Sequence, residues 1–133
     1  MDTAYAFDAR LELLKVMLVG RVEAAPLLAV ITTLRRLAAQ LRPVRVVYDC
    51  SAVMSIHFDT SFVDSLASLR PVFDSGAQEV ILAPQEYLYG LARMFQQMSE
   101  QQQRNVKVVR TWPEAHHVFG LTEPPRYSEV PVA

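Results

Sequence analysis

Two kinds of apolar pattern alternate along the chain. Short runs of strand-type residues predict five strands, over 4–8, 13–22, 44–50, 79–84 and 106–111. Recurrence of apolar residues every three or four positions predicts helices over 26–41, 59–73, 85–103 and 111–120. Residues 51–58 read as a loop, and Pro71 is expected to kink or shorten the second helix.

The order of these elements defines an α/β fold, ββαβαβαβα. Strands that alternate with helices are joined by right-handed crossovers, which gives a mixed, mainly parallel sheet flanked by helices. The initial hairpin adds an antiparallel strand at or near an edge. We expect one domain over 1–121 and a tail over 122–133, whose prolines favour an irregular or mobile extension.

The charge balance and hydropathy argue against two classes of partner. The chain has 13 basic and 14 acidic residues and a net charge of −1. A nucleic-acid binder normally carries a basic excess that neutralises phosphates, so no nucleic-acid partner is expected. No apolar stretch reaches the length of about 18 residues that spans a bilayer. The acidic start also lacks the basic leader of a secretory signal, so we expect a cytoplasmic protein.

The residues that could form a catalytic, metal-binding or cofactor-binding motif are few and poorly spaced. The lone Cys50 can form neither an internal disulfide nor a cysteine-based metal site, and four scattered glycines cannot build a phosphate-binding loop. His116 and His117 point about 100° apart on a helix, so they cannot chelate one metal. His57 precedes residues 59–61, but a Ser-His-Asp triad is normally assembled from separated segments. We expect no cofactor, no metal and no enzyme activity.

The third helix carries more aromatic and thioether side chains than one inward stripe requires. Tyr89 and Arg93 lie on the side opposite Leu88 and Phe95, and Met94 follows Arg93. Tyr, Met and Arg are enriched at protein interfaces, so Tyr89, Arg93 and Met94 are candidate interface residues. Core packing is the alternative interpretation.

The middle of the chain, RVVYDCSAVMSIHFDTSFVDSLASL, resembles the signature of STAS domains. This family contains anti-sigma-factor antagonists and the cytoplasmic domains of sulphate transporters. The signature is an apolar strand ending in Asp, a small polar residue, an apolar position, and an Asp-Ser/Thr-Ser/Thr step that opens a helix. The matching positions here are Asp49, Ser51, Val53, Ile56, Asp59, Thr60 and Ser61. The segment VKVVRTWPEAHHVFGL resembles the family's last strand and closing helix, and VILAPQEYLYGLARMFQQM resembles uncharacterised bacterial relatives of the fold.

The resemblance implies a phosphorylation site. In such antagonists a serine at the helix start is phosphorylated by a kinase that is also the binding partner. Ser61 would be the modified residue, Thr60 its neighbour and Asp59 the orienting acid. The segment between Asp49 and Asp59 is two residues longer than the family's pattern, so this alignment needs a gap. Without the gap His57 takes the place of the aspartate and Asp59 that of the serine.

Two features leave other interpretations open. Phe62 stands where the family has a small glycine. Asp59, Thr60 and Ser61 are also all capable N-cap residues, so the cluster can be read as an ordinary helix cap.

The sequence therefore predicts a non-enzymatic regulatory module that binds a protein partner, such as an anti-sigma-type kinase. The alternative is a protein that binds a small or lipid-like molecule between helices and sheet, or an enzyme of unknown reaction. A homodimer, formed through a strand edge or the third helix, is compatible with either.

Overall fold

The computed structural model describes residues 1–132, so Ala133, the last residue of the predicted tail, lies outside the described residues. The strands are β1 (Asp2–Asp8), β2 (Leu13–Glu23), β3 (Arg45–His57), β4 (Gln78–Leu82), β5 (Asn105–Val109) and β6 (Ser128–Glu129). The helices are α1 (Ala24–Leu41), α2 (Thr60–Ser68), α3 (Glu86–Ser99) and α4 (Trp112–Phe119), with a 3₁₀ turn at Glu100–Gln102. The predicted order ββαβαβαβα is confirmed, and β6 is added to it.

The six strands form one sheet in the order β5-β4-β3-β2-β1-β6. β2, β3, β4 and β5 are parallel to one another, whereas β1 is antiparallel to both β2 and β6. The mixed, mainly parallel sheet with an antiparallel hairpin near one edge is therefore confirmed. Parallel neighbours require crossover connections, which α1, α2 and α3 supply.

The sheet separates two apolar layers. Val46 and Val47 are both fully buried, and because successive strand residues point to opposite faces they belong to different clusters. Val46 packs in the cluster that contains Leu34 of α1 and Leu88 of α3. Val47 packs in the cluster that contains Phe119 of α4. The first layer, under α1, α2 and α3, is where the candidate site lies.

Two boundaries differ most from the sequence prediction. β3 continues to His57, so the expected loop over 51–58 is wrong for most of its length. The reason is non-local, because β2 runs on to Glu23 and supplies backbone partners as far as the pair Glu23 and His57. α2 ends at Ser68 with Leu69 as an extended C-cap, ahead of Pro71. The predicted helix to residue 73 is thus shortened, as Pro71 indicated.

The tail returns to the sheet, which corrects the expectation of an irregular extension. β6 pairs with β1, and the N–H of Val130 donates to the carbonyl oxygen of Tyr5 over 2.8 Å. The buried Asp8 side chain accepts from the N–H of Arg126 over 2.7 Å and from the N–H of Leu11 over 3.0 Å. Asp8 therefore ties the tail to the β1–β2 turn.

Two classes of feature are missing from residues 1–132. None of the helices there is both long and apolar enough to cross a membrane. Within the same residues no group of three or more His, Cys, Asp or Glu side chains is arranged to hold a metal ion.

Candidate functional site

The start of α2 is fixed by Asp59. This residue has an extended backbone, and its Oδ1 accepts from the N–H of Phe62 over 3.1 Å, which is N-cap geometry. Thr60 and Ser61 are the first two helical residues, and both are exposed. No acidic side chain lies in the first helical turn. The unpaired N–H groups and the positive end of the helix dipole therefore face solvent beside two free hydroxyl side chains.

The long strand that leads into α2 contains two bulges. Met17 pairs with Asp49 and Val19 with Ala52, so β3 carries one residue more than β2 over this interval. A second extra residue lies between the pairs of Gly20 and Arg21. Gly20 has a φ of 87°, a left-handed conformation that glycine adopts without strain. A bulge adds one residue and bends a strand without ending the ladder.

Gln85 holds the bulged part of β3 against the start of α3. Its Nε2 donates to the carbonyl oxygens of Cys50, Ser51 and Val53 over 3.2, 3.2 and 2.9 Å. Tyr87, two residues further on, donates its hydroxyl to the carbonyl oxygen of Met54 over 3.1 Å. The end of β3 and the start of α3 therefore form one surface.

This surface exposes large apolar side chains. Met54 exposes 81% of its area and Tyr87 47%. His57, Thr60 and Ser61 lie at the same carboxyl end of the sheet, and all three are exposed. We call Met54, His57, Thr60, Ser61 and Tyr87 the β3–α2 surface. Sequence reasoning missed Met54 because residues 51–58 read as a loop, and a bulge residue leaves no periodic signal. It did not select Tyr87, since the contact of Tyr87 with β3 depends on the fold.

The structure does not assemble a catalytic triad around His57. Its Nε2 lies 2.9 Å from the Oγ of Ser55, and no hydrogen bond among residues 1–132 joins His57 to Asp59 or Ser61. Asp49, which matched the strand-ending acid of the family signature, is buried and accepts from both the N–H and the Oγ of Ser51. Asp49 thus shapes the first bulge rather than the start of α2.

The predicted interface residues of α3 differ in their exposure and partners. Tyr89 is half-buried under the guanidinium of Arg110, which lies 4.0 Å from the ring centre. Arg93 is exposed and donates to Oε1 of Gln96 over 2.9 Å, and Met94 is half-buried. Tyr87 reaches β3, whereas Tyr89 faces the end of β5. Asp59, Thr60 and Ser61 therefore lie together at the start of α2, whereas Tyr89, Arg93 and Met94 belong to α3.

An apolar cavity of about 160 Å³ lies beneath the helices of this layer. α1 provides one wall with Leu27 and Ile31, and the end of α2 provides the other with Leu66 and Leu69. The sheet forms the floor, to which Cys50 and Ile81 contribute. A second apolar cavity of about 110 Å³ adjoins it, sharing Leu27, Leu66 and Phe95 among other residues.

Three polar residues form a closed network beside the larger cavity. The guanidinium of Arg104 donates to both carboxylate oxygens of Glu79, over 2.6 and 3.1 Å, and Tyr48 donates to Oε1 of Glu79 over 2.7 Å. The side chains of Glu79 and Arg104 are only 4% and 11% exposed. Desolvation, reinforced by the charge of Glu79, raises the pKa of Tyr48 well above its ordinary value. Arg104 is therefore fully committed to partners within the domain.

Comparison with known proteins identifies the fold. No protein-family model matches the chain, and no curated protein matches it. Among solved structures, the anti-sigma factor antagonist SpoIIAA in its unphosphorylated form matches with a TM-score of 0.52 and 15% sequence identity. The match covers 84% of this chain and 93% of that chain. The chain has a STAS-like fold.

The lone cysteine of this STAS-like domain is placed for packing rather than for nucleophilic chemistry. Cys50 is buried and lines both apolar cavities. Burial, together with the negative charge of Asp49, raises the pKa of its thiol from 9.0 to about 12. Since the thiolate is the reactive form, Cys50 is a poor nucleophile at neutral pH.

Proposed function

We propose that this STAS-like domain is a non-enzymatic regulatory module that binds a protein partner through the β3–α2 surface. The observation that carries the proposal is the 81% exposure of Met54, which is bonded to Tyr87 at the carboxyl end of the sheet, the end at which α2 begins with two exposed hydroxyl residues. Met and Tyr are enriched at protein interfaces, and these two exposed side chains belong to residues that the Tyr87 hydroxyl joins by its hydrogen bond to the Met54 carbonyl oxygen. The likeness to an anti-sigma factor antagonist supports a protein partner.

We further propose that phosphorylation of Ser61 controls this binding, and that the partner is a kinase of the anti-sigma type. A phosphoserine carries nearly two negative charges at pH 7 and three acceptor oxygens. Its position in the first turn of α2 favours those charges through the free N–H groups, so the modified domain stays folded. The new charge instead acts on whatever docks at the surface.

The two bulges of β3 support the alignment that assigns this role to Ser61. The segment between Asp49 and Asp59 is longer than the family's pattern by the number of residues that the bulges absorb. With those residues absorbed in the strand, Asp59 takes the N-cap position and Ser61 falls in the first turn. The alignment without a gap would instead leave His57, a strand residue, at the helix start.

The bulky Phe62 does not obstruct Ser61. Its ring packs on Phe58 with the ring centres 4.9 Å apart, and it is half-buried. Ser61 remains exposed on the helix surface. A kinase can therefore approach the hydroxyl group although the small residue of the family's pattern is replaced.

The test is to incubate the purified chain with lysate of its own host and ATP, recover it, and map phosphate by mass spectrometry. Phosphate on Ser61 or Thr60 is expected in wild type, and a loss of labelling in Ser61→Ala or Thr60→Ala identifies the residue. Ser65→Ala is the matched control, since Ser65 is an exposed serine of the same helix. Labelling at neither Ser61 nor Thr60, with a partner still recovered, would keep the binding role and remove the switch.

A further inference from the structure

We propose that the paired apolar cavities bind a single-chain amphipathic carboxylate of fatty-acid type, with its tail between α1, α2 and the sheet and its head group at Arg70. This site is separate from the β3–α2 surface and does not depend on the function proposed for it.

The walls are suited to an alkyl chain. Side chains of Leu, Ile, Val and Phe make up most of the lining, and the buried Cys50 thiol is protonated and so adds no charge. A cavity of about 150 Å³ holds a benzene molecule, which has six carbon atoms. By that measure, adjoining cavities of about 160 and 110 Å³ accommodate a chain of about ten carbons.

The helices leave room for entry. α2 packs mainly on α3, so α1 and the end of α2 face each other across the larger cavity. The guanidinium of Arg35 in α1 donates to the carbonyl oxygen of Arg70 over 2.8 Å, and Arg35 lines neither cavity. The second cavity is lined by Val53 of β3 and Leu88 of α3, so it extends the apolar space towards α3.

The positive charge of an arginine beside the larger cavity favours an anionic ligand. Arg104 and Arg70 both contribute to the wall of the larger cavity. Arg104 is neutralised by Glu79, whereas Arg70 is exposed and takes part in none of the ion pairs formed among residues 1–132. An unpaired guanidinium next to an apolar chamber is complementary to a carboxylate on an alkyl chain.

Nuclear magnetic resonance of the full chain, with ¹³C-labelled isoleucine methyl groups and decanoate as the probe, tests this directly. Ile31, Ile56 and Ile81 are the only isoleucines, and each lines at least one of the two cavities. Trp112, the only tryptophan, packs on the opposite face of the sheet and is the internal control. Decanoate is expected to shift the methyl signals of Ile31 and Ile81 in a saturable manner and to leave the indole N–H of Trp112 unchanged.

Three variants separate recognition of the head group from recognition of the tail. Arg70→Ala is expected to weaken decanoate binding about fivefold, the size of one exposed ion pair, and to leave decanol binding unchanged. Arg36→Ala, a neighbouring exposed arginine that lines neither cavity, is expected to alter neither. Leu66→Trp, which fills the space shared by both cavities, is expected to abolish the methyl shifts.

Four results would overturn the proposal. These are the absence of saturable methyl shifts, equal shifts at Trp112, equal loss of decanoate affinity in Arg70→Ala and Arg36→Ala, or undiminished shifts in a folded Leu66→Trp variant. Sedimentation with anionic phospholipid vesicles in the absence of decanoate binding would likewise overturn it in favour of a membrane surface.

Discussion

The side-chain amide of Gln85 donates to the carbonyl oxygen of Val53 over 2.9 Å. The same nitrogen reaches the carbonyl oxygens of Cys50 and Ser51, so one side chain satisfies the part of β3 in which the bulges interrupt the ladder. The shape of the strand end, and with it the position of Met54, thus depends on a residue from the start of α3.

Replacing Gln85 is therefore expected to loosen the end of β3. Gln85→Leu keeps a similar volume but removes the donor, and we expect the free energy of unfolding to fall by about 1–3 kcal/mol, since buried carbonyl groups lose their partner. Urea denaturation measures this change. Amide hydrogen exchange should quicken in residues 50–57 in particular. Gln97 is an exposed glutamine of α3, and Gln97→Leu should change neither the free energy of unfolding nor the exchange rates of residues 50–57. Equal effects in both variants would contradict the account.

Removing only one partner of the buried ion pair between Glu79 and Arg104 is expected to lower the free energy of unfolding. Arg104→Met leaves a buried carboxylate without its cation, and we expect a loss of about 3–5 kcal/mol in the free energy of unfolding. The double variant Glu79→Leu/Arg104→Met should lose less, because no unpaired charge remains. Arg110→Met is the control. Its pair with Glu86 is largely exposed, so its removal should lower the free energy of unfolding far less than Arg104→Met does.

The raised pKa of Cys50 predicts a loss of stability in alkaline solution. The unfolded thiol ionises near pH 9.0, whereas the folded thiol keeps its proton to about pH 12. The stabilisation is complete below pH 9.0 and declines as pH rises toward 12, with a slope of up to about 1.4 kcal/mol per pH unit. Urea denaturation at pH 8 and pH 10 should show a smaller decline for Cys50→Ala than for wild type, and parallel declines would refute this assignment.

The lowered pKa of Asp8 predicts a loss of stability in acid, whereas that of Cys50 predicts a loss in alkaline solution. The backbone N–H groups of Arg126 and Leu11 hold the pKa of its carboxyl below the ordinary value. The stabilisation is present above the unfolded pKa of 3.8 and is lost as pH falls through the lower folded value. Asp8→Asn should weaken tail attachment, seen as faster hydrogen exchange at Arg126 and Val130 at neutral pH. Asp2→Asn, at the exposed start of the same strand, should not.

The sequence predicts those features of the fold that rest on local pattern. Apolar spacing and the proline at position 71 locate most helices and strands, and the helix expected over 111–120 begins after Thr111, whose hydroxyl accepts from the N–H of Glu114. The resemblance to STAS domains also leads to the correct fold. These signals suffice because each depends on neighbours along the chain.

The features that the sequence does not predict depend on pairing between segments that are distant along the chain. The end of β3 is a strand only because β2 lies beside it, and β6 is a strand only because it meets β1. The bond between Tyr87 and Met54 follows from that pairing, so the β3–α2 surface could not be read from spacing. The apolar cavity depends on the separation of α1 from α2, which no local pattern records.

The most direct test of the proposed function is photo-crosslinking in the host cell with p-benzoyl-phenylalanine placed at position 54 or at position 44. Met54 and Val44 are both exposed apolar residues, at the carboxyl and amino ends of β3 respectively. The account predicts one discrete crosslinked protein from position 54 and none from position 44, and predicts that phosphoserine at position 61 changes the yield. No product from position 54, or the same product from both positions, would contradict it.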